Sequence, residues 1–176
     1  MLKKFKTILR PFTQKNGYLA KTVKINNQEF KIRLITTDDI KTLIQLERIV
    51  YAGETPWTKS AFLSELYSRY VHLYLGVLYQ GRMIAFIGNR IIFDDVHITQ
   101  IAVDPAFQNK GIGSFLMIEA ENFARKHNCV TLSLEVRISN IDAQRFYRSL
   151  GYDTQKRLKN YYSSGNEDAL YMVKQV

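Results

Sequence analysis

Gly111 and Gly113 stand two residues apart in the stretch IAVDPAFQNKGIGSFLMIEA, Ile101 to Ala120, where an apolar, strand-like segment runs through a polar turn into an amphipathic run. A glycine weakens a helix, so two in one first turn point to a backbone that must adopt positive φ or be approached closely. The start of a helix also presents unbonded N–H groups and the positive end of its dipole, which together hold anions. The chemistry favoured by this spacing is phosphate binding by the amides from Asn109 to Ser114, with Lys110 adding charge attraction. A tight left-handed turn without a ligand is the plainer alternative. Two known phosphate loops are excluded. A P-loop places Lys and Ser or Thr directly after its last glycine, whereas Lys110 precedes Gly111. A dinucleotide fingerprint needs a third glycine where Leu116 stands.

Glu135 is the sole carboxylate of the alternating segment VTLSLEV, which carries Val130, Leu132, Leu134 and Val136 on one face and Thr131, Ser133 and Glu135 on the other. Such a carboxylate either faces solvent, paired with Arg137, or sits in a cleft where it can move a proton. Tyr147, beside Phe146 on an apolar stripe, reads by itself as a core aromatic whose hydroxyl needs a partner. The single cysteine, Cys129, reads as a small buried hydrophobe; a catalytic thiol is the alternative, without an assignable histidine partner. With His72, His97 and His127 scattered, neither a disulfide nor a metal cluster is expected.

The elements that carry these residues follow from periodicity. Val23 and Ile25, the turn pair Asn26-Asn27, and Phe30, Ile32 and Leu34 predict a hairpin. Thr37 reads as the cap of a helix bearing Ile40, Leu43, Leu46, Glu47 and Val50, and Thr58 as the cap of a second with Ala61, Phe62, Leu66 and Tyr70. HLYLGVLYQ, MIAFIGNRIIF and VHITQIAV, separated by Gly81 and by Asp94-Asp95, predict an antiparallel meander. The glycine-turn helix carries Ile112, Phe115, Leu116, Ala120 and Phe123 and stops near Asn128. Ser139 with Asp142 reads as a capping box opening the helix of Ala143, Phe146, Tyr147 and Leu150, which Gly151 ends. A terminal hairpin turns around residues 163–166.

At 176 residues and 46% hydrophobic, the chain suits one α/β domain. Its net charge of +9 is concentrated at the start: residues 1–33 hold nine Lys or Arg and one acid, Glu29. Such an arm suits a polyanionic surface, RNA, the ribosome or an anionic membrane; a solubilising face is the alternative. Leu2, Phe5, Ile8, Leu9 and Phe12 could share one face of a short helix that Pro11 disturbs. No run has the length of a membrane span or the apolar core of a signal peptide, so a cytoplasmic protein is expected.

The element order resembles the GNAT acyltransferase superfamily over about residues 30–174, and QNKGIG is similar to its acyl-CoA signature, in which Gln or Arg precedes G-x-G or G-x-A. The segments IAVDPAFQNKGIG, LSLEVRISNIDAQRFYRSLGY and NYYSSGNEDALYM resemble, in order and spacing, the bacterial ribosomal-protein-alanine N-acetyltransferases, the RimI family. The resemblance implies a mixed, mostly antiparallel sheet flanked by helices over residues 30–176, after a basic extension, 1–29, that contains a hairpin strand. It implies acetyl-CoA as co-substrate, no metal, Glu135 as general base and Tyr147 as general acid. Gln108, Asn109, Lys110, Gly111, Ile112, Gly113, Ser114 and Asn140 would hold the donor. Ile101, Ala102 and Val103 would offer backbone groups to its pantetheine arm.

Pro-Trp-Thr at residues 56–58 is similar to that family's acceptor loop, and Trp57, Tyr161 and Tyr162 would line the acceptor groove. The basic segment before Phe30 and the approach GETPW depart from the family pattern. The acceptor implied is a protein N-terminus, that of a small-subunit ribosomal protein. An α-amine, with a pKa near 7.7–8.0, is neutral in about a quarter of molecules at pH 7.4, against roughly one in a thousand for lysine near 10.4, so a modest carboxylate base suits an N-terminus. Two alternatives stay open: acetylation of a small-molecule amine in a closed acidic pocket, and a non-catalytic, acyl-CoA-sensing module that binds RNA or the ribosome and needs neither Glu135 nor Tyr147.

Overall fold

The computed structural model describes residues 17–176, Ser164 by its backbone alone. Most of the basic arm and the amphipathic turn of Leu2 to Phe12 lie outside the described residues. Of the described basic residues before Leu34, three are committed to ion pairs within the fold: Lys21 with Glu119, Lys24 with Glu29 and Arg33 with Asp39.

The predicted hairpin is formed by β1 (Lys21–Ile25) and β2 (Gln28–Leu34), joined by Asn26 and Asn27 at φ +47° and +63°. Asparagine tolerates these left-handed angles, and two in succession match the twist of the paired strands. Residue 30 lies inside β2, so a division of the chain at that point cuts this strand. A short 3₁₀ turn, Thr37–Asp39, leads into α1 (Ile40–Val50), followed by α2 (Lys59–Leu66). The cap is Thr36 rather than Thr37, because Asp39, fixed by Arg33 at 2.7 and 2.8 Å, reaches back to accept from the Thr36 N–H at 2.9 Å. Thr58 caps α2 as expected, its Oγ1 accepting from the Ala61 N–H.

The meander is β3 (His72–Tyr79), β4 (Arg82–Ile92) and β5 (Asp95–Val103). After it come α3 (Ile112–Lys126), β6 (Thr131–Arg137), α4 (Ile141–Ser149), β7 (Asp153–Tyr162) and β8 (Glu167–Gln175). The cap of α4 is Asn140, not Ser139. The Ser139 N–H is held by Glu167 at 2.9 Å, which keeps that residue outside the helix, while Asn140 Oδ1 accepts from Ala143 at 3.1 Å.

Among the described residues the strands form one sheet in the order β1-β2-β3-β4-β5-β6-β8-β7, antiparallel except where β5 meets β6. A parallel pair needs a crossover, and α3 supplies it. One face is covered by α3 and α4, around Ile87, Ile98, Leu116, Ala120, Leu134 and Tyr152. The other is covered by α1 and α2, around Leu43, Leu46, Phe62, Tyr74 and Phe86.

Two features of β5 open the sheet. Its ladder with β6 runs from Asp95 opposite Thr131 to His97 opposite Ser133 and goes no further. Immediately beyond, the register with β4 slips: Asn89 faces Ile98 while Gly88 faces Gln100, leaving Thr99 as an extra residue. Such a bulge bends its strand and increases its twist. From residue 98 to 103 on β5 and 134 to 137 on β6, the two strands therefore run without a shared ladder.

Candidate active site

At the end of β5 the chain is tied into a tight loop. Asp104 Oδ1 accepts from the Ala106 N–H at 2.9 Å, and Gln108 Nε2 donates to the Val103 carbonyl at 3.0 Å. Asn109 at φ +57° and Gly111 at +83° then turn the backbone so that α3 starts at Ile112. Gly111 answers to conformation, since an L side chain rarely adopts that angle. Gly113 answers to packing: a β-carbon there would lie 3.3 Å from the Phe146 ring of α4. The amides of Ile112, Gly113 and Ser114 have no acceptor within the helix, because the first intrahelical bond is Phe115 N–H to the Gly111 carbonyl, 2.9 Å. Lys110 holds its ammonium 5.1 Å from the centre of the Phe107 ring, beside this loop. Free amides, a helix dipole and a nearby cation fit a pyrophosphate. Sequence reasoning missed one partner of the loop: Asn26 Nδ2 donates to the Lys110 carbonyl at 3.0 Å, and Ile25 lies 3.3 Å from where a β-carbon at Gly111 would be.

Glu135 lies on β6 beyond the end of the ladder, its side chain 16% exposed. The carboxylate borders a groove and sits 3.2 Å from His97 Nε2, with the Tyr161 hydroxyl nearby. Arg137 is ion-paired with Glu167 at 2.8 Å, its guanidinium 4.1 Å from the centre of the Tyr162 ring. A groove of roughly 480 Å³ beside Glu135 is bounded by Phe93 from the β4–β5 turn and by Tyr161 and Tyr171 from the terminal hairpin.

Tyr147, on α4, is buried. That burial, with Tyr51 and Tyr162 close by, pushes its hydroxyl well above the ordinary phenol range, so it carries its proton at neutral pH. Tyr162 lies within electrostatic reach of Tyr147 and of Glu135, and burial, with the charge of that carboxylate, raises its own hydroxyl above the ordinary phenol range. Asn140 uses Oδ1 as the cap of α4, and its amide NH₂ takes no part in that bond.

On the α1 side, Glu47 is fully buried. Its Oε1 accepts from Gln100 Nε2 of β5 and its Oε2 from the Trp57 N–H at 3.3 Å, so one carboxylate joins α1, the Pro-Trp loop and the bulged strand. Burial pushes this carboxyl up to about 7, against the opposing effect of its two donors. Trp57 is half-buried and packs its ring 5.3 Å from Phe62 in the core between α1 and α2, while Tyr161 and Tyr162 project from the hairpin. The signal for Glu47 was available: a carboxylate on an otherwise apolar helical stripe. Tyr51, one turn later, extends the same stripe toward Tyr147.

Among the described residues no group of three His, Cys, Asp or Glu side chains is arranged to hold a metal ion, and no helix is long and apolar enough to cross a membrane.

Residues 39–152 match the Acetyltransferase (GNAT) family. The [ribosomal protein bS18]-alanine N-acetyltransferase of Salmonella typhimurium is 35% identical over 144 residues, covering 81% of this chain and 95% of that protein. The crystal structure of the ribosomal-protein-S18-alanine N-acetyltransferase from Escherichia coli superposes with a TM-score of 0.73 at 30% identity, covering 84% of this chain and 94% of that one. The PaiA N-acetyltransferase of Thermoplasma acidophilum, solved with coenzyme A, shares the fold with a TM-score of 0.69 at 24% identity, covering 84% of this chain and 99% of that one.

Proposed function

This chain belongs to the acetyltransferase (GNAT) family, and on that premise we propose that it moves the acetyl group of acetyl-CoA to the N-terminal α-amine of a protein, the alanine of ribosomal protein bS18. The observation that carries the reading is the opening beyond His97 and Ser133, where β5 and β6 cease to pair, with Glu135 on its β6 side and the unbonded amides of Ile112, Gly113 and Ser114 in the turn that follows β5. A cytoplasmic site of action follows from a ribosomal acceptor.

Acetyl-CoA supplies a thioester whose carbonyl carbon is open to attack by an amine. The amides of Ile112, Gly113 and Ser114 and the Lys110 ammonium bind its pyrophosphate, and Gln108 and Asn109 shape the loop that presents them. Ile101, Ala102 and Val103, on the part of β5 that has left β6, lie where backbone groups can pair with an extended pantetheine arm. Asn140 stands at the start of α4 on the other side of the opening. Glu135 takes the surplus proton of the attacking amine. Tyr147, kept protonated by burial, gives its proton to the departing sulfur. Tyr161 borders the groove through which a peptide N-terminus reaches Glu135, with Tyr162 next to it on β7, while Trp57 is held to α1 through Glu47.

The test is incubation with labelled acetyl-CoA and a panel of bS18 N-terminal peptide, lysine peptides and polyamines, with products located by mass spectrometry. Acetyl on the terminal alanine nitrogen is expected. Glu135→Gln and Tyr147→Phe are each expected to lower kcat by about 10²-fold or more while acetyl-CoA affinity stays within twofold, since each removes a proton carrier and no cofactor contact. Acetylation confined to polyamines would replace the acceptor; undiminished turnover in both variants would replace the acid and the base.

A further inference from the structure

Glu135 is the first member of a chain of contacts. Its Oε2 lies 3.2 Å from Nε2 of His97, and the other ring nitrogen, Nδ1, lies 2.9 Å from Oγ of Ser133. Ser133 donates to Oδ2 of Asp95 at 2.5 Å, and Thr131 donates to Oδ1 of the same carboxylate at 2.7 Å. The chain follows the parallel ladder, in which His97 faces Ser133 and Asp95 faces Thr131, residues two apart that share one face of the sheet.

A hydroxyl carries one hydrogen, and a carboxylate only accepts. Ser133 gives its hydrogen to Asp95, so toward His97 its oxygen can only accept, and Nδ1 must be the protonated nitrogen. A neutral imidazole has one N–H, which leaves Nε2 bare and turned toward the Glu135 oxygen. Two lone pairs at that separation repel unless a proton lies between them. We infer that His97 is a positioning residue and proton partner for Glu135: Ser133 and Asp95 hold its ring in the Nδ1–H tautomer, so that Nε2 receives the proton that Glu135 removes from the acceptor amine. This rests on the reading of Glu135 as the base.

The step balances. The amine nitrogen uses its lone pair to bond the acetyl carbonyl carbon, and the carbon–sulfur bond breaks with its electron pair leaving on sulfur. The surplus proton on nitrogen passes to Glu135 and onward to Nε2, and the resulting imidazolium donates through Nδ1 to Ser133, which faces the negative charge of Asp95. Sulfur takes the proton of Tyr147; solvent removes one from the imidazolium and returns one to Tyr147. Solvent has access, because the His97 side chain is 15% exposed and lines the same groove as Glu135. The charged groups facing the ring are Asp94 and Asp95 from the β4–β5 turn, Glu135 from β6, and Arg90, its cross-strand neighbour on β4, which is already paired with Glu65. Tyr161 and Tyr171 are the titratable phenols there.

Two measurements test this. Long-range ¹H–¹⁵N spectra of histidine-labelled wild-type protein are expected to show neutral His97 as the Nδ1–H tautomer; an Nε2–H tautomer would overturn the inference without any variant having to fold. Profiles of kcat/KM against pH, with acetyl-CoA and an N-terminal alanine peptide, are then compared for wild type, His97→Gln and Glu135→Gln. His97→Gln is expected to lower kcat tenfold or more, leave the KM for acetyl-CoA unchanged and alter the acidic limb, because that limb then reports a single group in place of a pair. A His97→Gln profile that superimposes on wild type, with Glu135→Gln inactive, removes His97 and keeps the base. Wild-type kcat in Glu135→Gln removes the base and the inference with it.

Discussion

Glu47 shows how a single buried carboxylate ties stability to pH. In the unfolded chain it titrates near its ordinary 4.5, whereas in the fold burial raises it to about 7. The folded state therefore prefers the protonated form. The stability this preference provides is complete below about pH 4.5, is lost as pH rises toward 7 and is absent above it. The difference amounts to about 3 kcal/mol at 1.36 kcal/mol per pKa unit. Glu47→Gln removes the titration without removing the bonds: its amide oxygen can accept from Trp57, and its amide N–H can donate to Gln100 Oε1, a buried atom with no partner, once the Gln100 amide turns over. Urea denaturation at pH 5 and pH 8 is expected to show the variant gaining about 3 kcal/mol on wild type between the two; parallel curves would show that Glu47 stays ionised throughout. Glu135 and Tyr147 could be proposed from the sequence because each stands in a motif. Glu47 showed only as a carboxylate on an apolar stripe, and His97 and Ser133 gave no signal, because what distinguishes these two is a partner 36 or more residues away in the chain.

At the scale of elements, the glycine turn separates two demands that look alike in sequence. Gly111 must hold φ +83°, and Gly113 must let α4 approach. Gly111→Ala is expected to cost about 1–2 kcal/mol through the left-handed backbone alone. Gly111→Val adds branches beside Ile25 and misaligns the amides, so calorimetry is expected to find acetyl-CoA binding lost while circular dichroism finds the fold kept; wild-type affinity in Gly111→Val would remove the phosphate role of this turn. The strands, the four helices and the terminal hairpin follow from periodicity and turn residues. Both cap assignments that missed did so by one residue, and in both a side chain chose the boundary: Asp39 anchored by Arg33, and Glu167 holding Ser139. The bulge at Thr99 and the short reach of the β5–β6 ladder leave no trace in alternation, since they depend on how neighbouring strands register.

For the whole molecule, the strand β1, like β2, precedes residue 39, where the match to the family begins. It is fastened by Lys21 and Tyr18 to Glu119 of α3 at 2.8 and 2.7 Å, and its turn reaches the phosphate loop through Asn26. Asn26→Ala is therefore expected to raise the KM for acetyl-CoA several-fold while the peptide KM holds steady; equal values for both substrates in variant and wild type would make the hairpin a bystander. The same sheet ends, at its far side, in β7, a mostly exposed strand whose ladder with β8 is twice broken in register and which carries Lys156, Arg157 and Lys159. An open row of backbone donors and acceptors invites a strand from a neighbouring molecule, and positive charge with irregular register discourages it. At the opposite rim the lysines of β1 are matched within the fold, Lys21 by Glu119 and Lys24 by Glu29. Two copies meeting by their β7 edges would bring Lys156 and Lys159 of one against those of the other, a repulsion that leaves the aromatic tip of the β7–β8 hairpin free for an acceptor chain.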